Sequence, residues 1–304
     1  MSFRIGLWSL LLGFFALVHP ALATEVTLRD RGLTLNADLT LAPNKTLADG
    51  VILITHGSLA HRDMEMLVAF RNLLRDKAYN TLAINLSLGV NNRHGMYDCK
   101  VTHRHLNDDA AREIGVWVAW LQSQGTTRIA LLGHSRGGAQ TALYVAEHDA
   151  PLLKAVVLLA PATSASSDAT VYQQRFDKAL APLLAKARKL VKQGKGHTVM
   201  AHTDLLNCAD AAVSADTFVS YYGQELRVDT PSLLPKIHKP TLVIVAEKDE
   251  VVVGLDKKVA PLADGKQLQM KIIEGADHFF LDLYAEDAVV AITGFLKSTA
   301  YPPK

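Results

Sequence analysis

Short apolar runs recur along this chain and alternate with stretches whose apolar residues repeat at helical spacing. The runs lie at 50–55, 81–86, 128–132 and 155–159 and in the segments that begin at Pro240 and Gln267. The helical stretches lie at 64–76, 108–122, 138–147 and 285–297. Continuous apolar runs are typical of strands that are buried on both faces. The sequence therefore predicts an α/β fold with a mostly parallel sheet and helices on both faces.

Two segments depart from this alternation. Residues 25–41 alternate polar and apolar side chains around Asp30-Arg31-Gly32, which predicts a β-hairpin. Residues 163–238 contain no convincing strand, but they contain helical stretches at 171–191 and 211–222. Because the strand pattern then resumes, we expect a helical cap at about 164–238, inserted into one domain that spans 24–304. A second independent domain is the alternative, although the segment is short for one.

The run at 128–132 stops at GHSRGG, residues 133–138, directly before a helical stretch. This pattern fits the G-x-S-x-G elbow, in which a strand turns abruptly into a helix with a serine at the tip. Side chains two positions before and after the serine would collide there, so glycine fits both places. We therefore predict that Ser135 is a nucleophile. A phosphate-binding turn is the alternative, but the segment lacks the lysine and the G-x-G-x-x-G order of such turns.

A serine nucleophile needs a base that removes its proton and a third group that orients the base. Asp249 ends the run after Pro240, and His278 lies in the loop after the next run. The order Ser135, Asp249, His278 is the order that accompanies this elbow. We predict these three residues as a catalytic triad, with a surface-loop role as the alternative for His278. The alternative acids near Asp249 are Glu247, Glu250 and Asp256.

The oxyanion of an acyl-transfer reaction needs two preorganised N–H donors. The first is expected from the backbone of Arg136, immediately after the nucleophile. The second is expected from the loop after the first apolar run, which reads His56-Gly57-Ser58-Leu59. We favour the backbone N–H of Leu59 over that of Ser58. A loop that merely ends the strand is the alternative.

The first 23 residues have the layout of a secretory signal peptide. A positive start precedes an apolar run at 5–18, and the small-x-small pattern Ala21-Leu22-Ala23 follows. We expect cleavage after Ala23 and export to the periplasm or the medium. An uncleaved membrane anchor is the alternative, but the run is short for a span of roughly 20 apolar residues. No later segment is long and apolar enough to cross a membrane.

Cleavage would leave two cysteines, Cys99 and Cys208. An even pair in an exported chain predicts a disulfide. Two unpaired thiols are one alternative. A metal site is another, because His94, His103 and His105 flank Cys99, but the cluster lacks a second well-spaced ligand pair.

The loop at 91–105 follows a predicted strand and should reach the carboxyl edge of the sheet. Its positive and aromatic residues either line a pocket together with the cap or belong to a solvated loop held by Cys99. The first arrangement would favour polar or acidic substrates. A disulfide between the cysteines would attach this loop to the cap.

Together these motifs resemble those of the α/β-hydrolase superfamily, and more closely those of exported bacterial hydrolases with a helical cap. The resemblance covers about 25–297 and rests on His56-Gly57, the GHSRGG segment, Asp249 and Gly275-Ala276-Asp277-His278. The HGGG loop of many lipases and esterases is absent, so the second oxyanion donor is inferred from position alone. The serine nucleophile argues against the dehalogenase and epoxide-hydrolase branches, which use aspartate.

The triad and the resemblance imply a serine hydrolase that cleaves a carboxylic ester through an acyl-enzyme on Ser135, without cofactor or metal. Thioesters, amides and peptide bonds are alternative substrates, because the same machinery serves all of them. A non-catalytic binding protein on a hydrolase scaffold is the alternative from another class, although such proteins typically lose triad members. The formal net charge is +2, and basic and acidic residues are mixed along the sequence. The sequence therefore shows no basic cluster of the kind that binds nucleic acid. The expected partner is a small ester or thioester.

Overall fold

The computed structural model describes residues 23–223, 227, 229–299 and 301. The signal peptide predicted at 1–23 therefore lies outside the described residues, apart from Ala23. Within the described ranges, no helix combines the length and the apolar character that a membrane crossing requires.

The strands and helices of the described chain follow the predicted alternation. The strands are β1 (Thr24–Asp30), β2 (Leu33–Thr40), β3 (Val51–Thr55), β4 (Asn80–Asn85), β5 (Ile129–His134), β6 (Leu153–Leu159), β7 (Val199–Leu205), β8 (Cys208–Ser214), β9 (Thr241–Ala246) and β10 (Leu268–Ile273). The helices are α1 (Glu65–Asp76), α2 (Asn107–Ser123), α3 (Ser135–Glu147), α4 (Ala169–Phe176), α5 (Leu180–Lys192), α6 (Ala215–Tyr222), α7 (Thr230–Leu233), α8 (Leu255–Val259) and α9 (Leu283–Ser298).

Eight of these strands form one sheet in the order β1-β2-β4-β3-β5-β6-β9-β10. The pairs β1–β2 and β2–β4 are antiparallel, and the remaining pairs are parallel. The predicted hairpin and the mostly parallel sheet are both confirmed. The carboxyl ends of the parallel strands share one edge, so the loops that follow β3, β5, β9 and β10 meet there.

Both faces of the sheet are buried, which explains why its strands are continuous apolar runs. Ile52 and Ile54 of β3 pack into a core with α1 and α9. Val51 and Leu53 of the same strand belong to the opposite core, with α2 and α3. Successive residues of a strand point to opposite faces, so each face of β3 needs its own apolar set.

Between β6 and β9 the chain leaves the sheet and forms α4 to α7 together with a hairpin of β7 and β8. The prediction that residues 163–238 contain no strand is wrong. The pairing of β7 with β8 has two register shifts, which break the two-residue period by which a strand is recognised. The helix predicted at 171–191 is two helices, because Asp177 has a left-handed conformation (φ 52°) and ends α4. The helix predicted at 211–222 begins at Ala215, where β8 has ended.

The loop between β4 and α2 is attached to this hairpin. Cys99 of the loop and Cys208 of β8 form a disulfide. Nearby, the His103 N–H donates to the Ala212 carbonyl at 2.8 Å, and the Ser214 N–H donates to the His103 carbonyl at 3.0 Å. A covalent bond and an isolated β-bridge are therefore among the links between this loop and the inserted segment.

Candidate active site

Ser135 lies at the sharp turn between β5 and α3, with a left-handed backbone conformation (φ 55°). A Cβ atom on Gly137 would lie 2.1 Å from the His56 carbonyl oxygen. A Cβ atom on Gly133 would lie 2.5 Å from Oγ1 of Thr141. Neither position has room for a side chain, so the turn requires both glycines.

The three residues of the predicted triad lie together at the carboxyl edge of the sheet. His278 Nε2 lies 2.9 Å from Ser135 Oγ, and His278 Nδ1 lies 2.8 Å from Asp249 Oδ2. The side chains of His278 and Asp249 are buried. Because an ionised carboxylate can only accept, Nδ1 carries the proton and Nε2 is free to accept the hydroxyl hydrogen.

Asp249 is the acid that the structure brings to His278. Its other oxygen, Oδ1, accepts the backbone N–H groups of Val251 and Val252, each at 2.8 Å. Burial alone would raise the pKa of Asp249, but the hydrogen bond and charge of His278 and these two N–H groups bring that pKa below its usual value. Of the alternative acids, Glu247 accepts the Gly275 N–H at 2.7 Å.

The loop after β3 brings Ser58 to the cavity beside Ser135 and Arg136. Nε of Arg136 donates to Ser58 Oγ at 3.0 Å. Leu59, the predicted source of the second oxyanion donor, packs its side chain into the apolar core, and its carbonyl accepts the Tyr97 N–H at 2.9 Å.

The buried side chains of His56 and Arg93 form hydrogen bonds that hold this loop in place. His56 Nδ1–H donates to the Gly57 carbonyl, while Nε2 accepts from the Leu86 N–H at 3.0 Å and from Arg93 at 3.1 Å. Arg93 also donates to the carbonyls of Leu86 and Ala60, each at 2.8 Å. Burial, followed by the charge of Arg93, lowers the pKa of His56 to about 3, so its ring is neutral. Sequence analysis missed Arg93, because no motif or spacing marks a single arginine in a turn-rich loop.

His134 holds the loop that carries the triad histidine. Its Nε2–H donates to the His278 carbonyl at 2.9 Å, and the two ring centroids lie 4.8 Å apart. Burial, followed by the charge of His278, lowers the pKa of His134 to about 3. The first variable position of the G-x-S-x-G motif therefore holds the loop of the predicted base, a contact that the motif does not specify.

A cavity of about 680 Å³ opens above Ser135 and His278. Its apolar wall includes Met64, Leu67 and Val171, and its polar residues include Arg136, Gln174, Arg175, Asn207 and Glu250. Part of this wall comes from α4 and the β7–β8 turn of the inserted segment. Of the loop at 91–105, Met96 lines the cavity.

The three histidines near Cys99 in the sequence form hydrogen bonds with different partners. His103 Nδ1 lies 3.1 Å from His105 Nε2, and His105 Nδ1 lies 2.8 Å from the Tyr221 hydroxyl. His94 lies apart from them, and its Nε2 is 2.8 Å from a carboxylate oxygen of Glu25.

The family of the chain follows from a match over residues 94–282, to the family described as serine aminopeptidase, S33. The chain belongs to this family. It is thus an α/β-hydrolase, and the resemblance to that superfamily, inferred from its motifs, is confirmed. No curated protein matches it in sequence.

Solved structures of similar fold include several esterases. Est1E from Butyrivibrio proteoclasticus is 18% identical, with 90% of this chain and 98% of that chain covered and a TM-score of 0.63. The esterase domain of a Rhodothermus marinus protein is 16% identical, with 91% and 99% covered and a TM-score of 0.60. The α/β-hydrolase GrgF from Penicillium sp. sh18 is 17% identical, with 91% and 98% covered and a TM-score of 0.64. At these identities the likeness shows the shared fold.

Proposed function

We propose that this hydrolase cleaves carboxylic esters through an acyl-enzyme on Ser135. The observation that carries the proposal is the continuous hydrogen-bonded chain from Ser135 Oγ through His278 to Asp249. The esterases among the proteins of similar fold support the choice of bond.

In the proposed reaction, Ser135 Oγ attacks the acyl carbonyl carbon while its proton passes to His278 Nε2. Asp249 stabilises the imidazolium that forms. The proton then passes to the departing alkoxide, and the alcohol leaves. A water molecule next gives a proton to His278 and attacks the acyl-enzyme, and the same proton returns to Ser135 as the carboxylic acid is released.

For the oxyanion we propose the backbone N–H groups of Arg136 and Ser58, in place of Leu59. Ser58 supports this assignment because it lines the cavity beside the nucleophile, whereas the Leu59 side chain is buried in the core. The hydrogen bond from the Arg136 side chain to Ser58 Oγ joins the two segments that would donate.

We also propose that residues 164–238 act as a cap, with a β-hairpin added to the predicted helices. Its support is the contribution of Val171, Gln174, Arg175, Leu206 and Asn207 to the cavity wall. A bound substrate would thus lie between the sheet edge and the cap.

Export through a cleaved signal peptide at 1–23 is proposed on its sequence layout and on the disulfide, which is typical of oxidising compartments. N-terminal sequencing of the protein recovered from a bacterial periplasm or medium should give Thr24 first. Recovery in the membrane fraction with Met1 retained would contradict cleavage.

The family description favours a second candidate, an aminopeptidase. Such an enzyme must accept a free ammonium group near the scissile bond. Here the buried Arg136 and the exposed Arg175 bring two positive charges to the cavity wall, against one carboxylate among its described lining residues, that of the exposed Glu250. Like charges repel, so esters fit better than peptides with a free N-terminus. A direct comparison of 4-nitrophenyl esters with aminoacyl 4-nitroanilides decides between them.

Covalent labelling tests the proposed nucleophile. A fluorophosphonate probe should label the wild type, and Ser135→Ala should abolish both labelling and ester hydrolysis while the far-UV spectrum is unchanged. Ser123→Ala, at the exposed end of α2, is the matched control and should keep both. No labelling of the wild type, together with no hydrolysis across several acyl lengths, would refute the serine-hydrolase proposal.

A further inference from the structure

The Arg136 side chain is a buried cation beside the nucleophile. Its exposed fraction is 6%, and it lines the cavity together with Ser135. A guanidinium carries five N–H donors. In the described residues its hydrogen-bond acceptor is Ser58 Oγ, and its charged end lies 5.5 Å from the centre of the Tyr221 ring. Both of these partners are neutral.

No carboxylate of residues 23–223, 227, 229–299 or 301 forms an ion pair with Arg136. Arg93 is also buried and forms no ion pair in the described chain, but its N–H groups donate to the carbonyls of Leu86, Ala60 and Gly95. A buried charge without a counter-charge is costly, because its removal from water is not offset by attraction to an opposite charge. The elbow therefore keeps an unneutralised cation at the place where a substrate must lie.

A second guanidinium faces the same cavity. Arg175 of α4 lines it, and its charge further lowers the pKa of Arg136 after burial has done so. Arg175 is held toward the cavity wall by the Leu206 carbonyl at 2.6 Å and by Asn207 Oδ1 at 3.0 Å. Glu250 also lines the cavity; like Arg175 it is exposed, and it forms no ion pair with either arginine in the described chain.

We propose that the Arg136 side chain binds an anionic group of the substrate, and that this enzyme prefers esters that carry a carboxylate near the scissile bond. The inference rests on the proposed esterase function and names its substrate class. A carboxylate fits the guanidinium geometry, because it can accept two parallel N–H groups. Arg175 would add to the positive potential that attracts such a substrate.

Two matched pairs of esters test the proposal. Mono(4-nitrophenyl) adipate and 4-nitrophenyl 6-methylheptanoate differ by a charge on the acyl side. The 3-carboxyphenyl and 3-carbamoylphenyl butanoates differ by a charge on the alcohol side. We expect kcat/KM of the wild type to favour the anionic ester of at least one pair by roughly 10- to 100-fold, the range for a hydrogen bond to a charged group.

Variants then assign the preference to the side chain. Arg136→Met should remove the preference for the anionic ester, measured as the ratio of its kcat/KM to that of the neutral ester, whatever the absolute rates become. Arg136→Lys should keep part of this preference. Arg188→Met, at an exposed position of α5, is the matched control and should leave the ratio unchanged. A preference that survives Arg136→Met would overturn the assignment.

The wild-type ratio needs no variant, so it remains decisive if Arg136→Met does not fold. Equal or lower kcat/KM for both anionic esters, in an enzyme that takes the fluorophosphonate label and cleaves neutral esters, overturns the inference alone. Absence of both labelling and hydrolysis overturns the proposed function and the inference with it.

Discussion

Gly137 shows how closely the elbow packs against the loop after β3. A methyl group there would lie 2.1 Å from the His56 carbonyl oxygen, a contact that backbone must move to relieve. We expect Gly137→Ala to lower the free energy of unfolding by about 3 kcal/mol and to lower kcat, because the loop that carries Ser58 would be displaced.

A matched control for Gly137→Ala is Gly194→Ala. Gly194 has a positive φ of 71°, and its Cβ would meet nothing within 4 Å. This change should cost about 1 kcal/mol, from backbone strain alone, with kcat retained. Urea denaturation and initial rates measure both effects. Equal losses in the two variants would contradict the packing argument.

Single residues of the site differ in how far the sequence predicts them. Ser135 was predicted because the glycines around it have a steric reason, and His278 because it follows a strand in the expected order. Arg93 and the side chain of Arg136 act through contacts with residues distant in the chain, and no local pattern encodes such contacts. Motifs and chain order therefore predict the proposed triad better than they predict the side chains that contact it.

At the scale of elements, Arg93 joins two loops at the carboxyl edge of the sheet. It binds His56 and Ala60 in the loop after β3, and Leu86 and Gly95 in its own loop after β4. Arg93→Met would leave these buried acceptors unpaired and loosen the loop that carries Ser58. We expect kcat to fall by roughly 10- to 100-fold with a smaller change in KM, because the proposed oxyanion contacts form in the transition state.

Arg93→Lys keeps one charged donor group and should restore part of the kcat lost in Arg93→Met. Steady-state kinetics and the rate of fluorophosphonate labelling measure the effect independently. A merely structural role would lower the unfolding temperature and leave kcat of the folded fraction unchanged, which would contradict positioning of the oxyanion loop.

The disulfide links the inserted segment to the loop between β4 and α2. It joins positions 109 residues apart in sequence. Closing a segment of that length stabilises the folded state by up to about 5 kcal/mol in the chain-entropy model. The Cys99→Ser, Cys208→Ser double variant should therefore unfold at lower urea concentration. Wild type that has been reduced and alkylated is the control and should behave like the variant. An unchanged midpoint in both would contradict this contribution.

The elements of the inserted segment were the hardest to predict. Central strands such as β3 are apolar on both faces, so they stand out as runs. The hairpin of β7 and β8 is exposed on part of its surface, and left-handed residues at His202 and Asp210 interrupt its alternation. Its stability comes from partners elsewhere in the chain, among them Cys99 and His103. Such partners are visible in three dimensions and not in a window of sequence.

At the scale of the whole molecule, four histidines outside the predicted triad are buried in the described chain. Burial lowers the pKa of each, to about 3 for His56, His105 and His134 and to about 4 for His103. In the unfolded chain these rings take up protons at about pH 6.5. A group whose pKa is lower in the folded state contributes its full stability above the unfolded pKa and loses it as the pH falls toward the folded value.

We therefore expect the free energy of unfolding to decrease as the pH falls below about 6.5, with a limiting slope of up to about 5 kcal/mol per pH unit for four such rings. Urea denaturation at a series of pH values measures the slope. Replacing His103 and His105 with Gln should roughly halve it, because two of the four proton-binding sites of the unfolded chain are then lost. Replacing the exposed His197 and His202 with Gln should leave it unchanged. A slope that the first double variant does not reduce would show that burial of these rings is not what limits stability in acid.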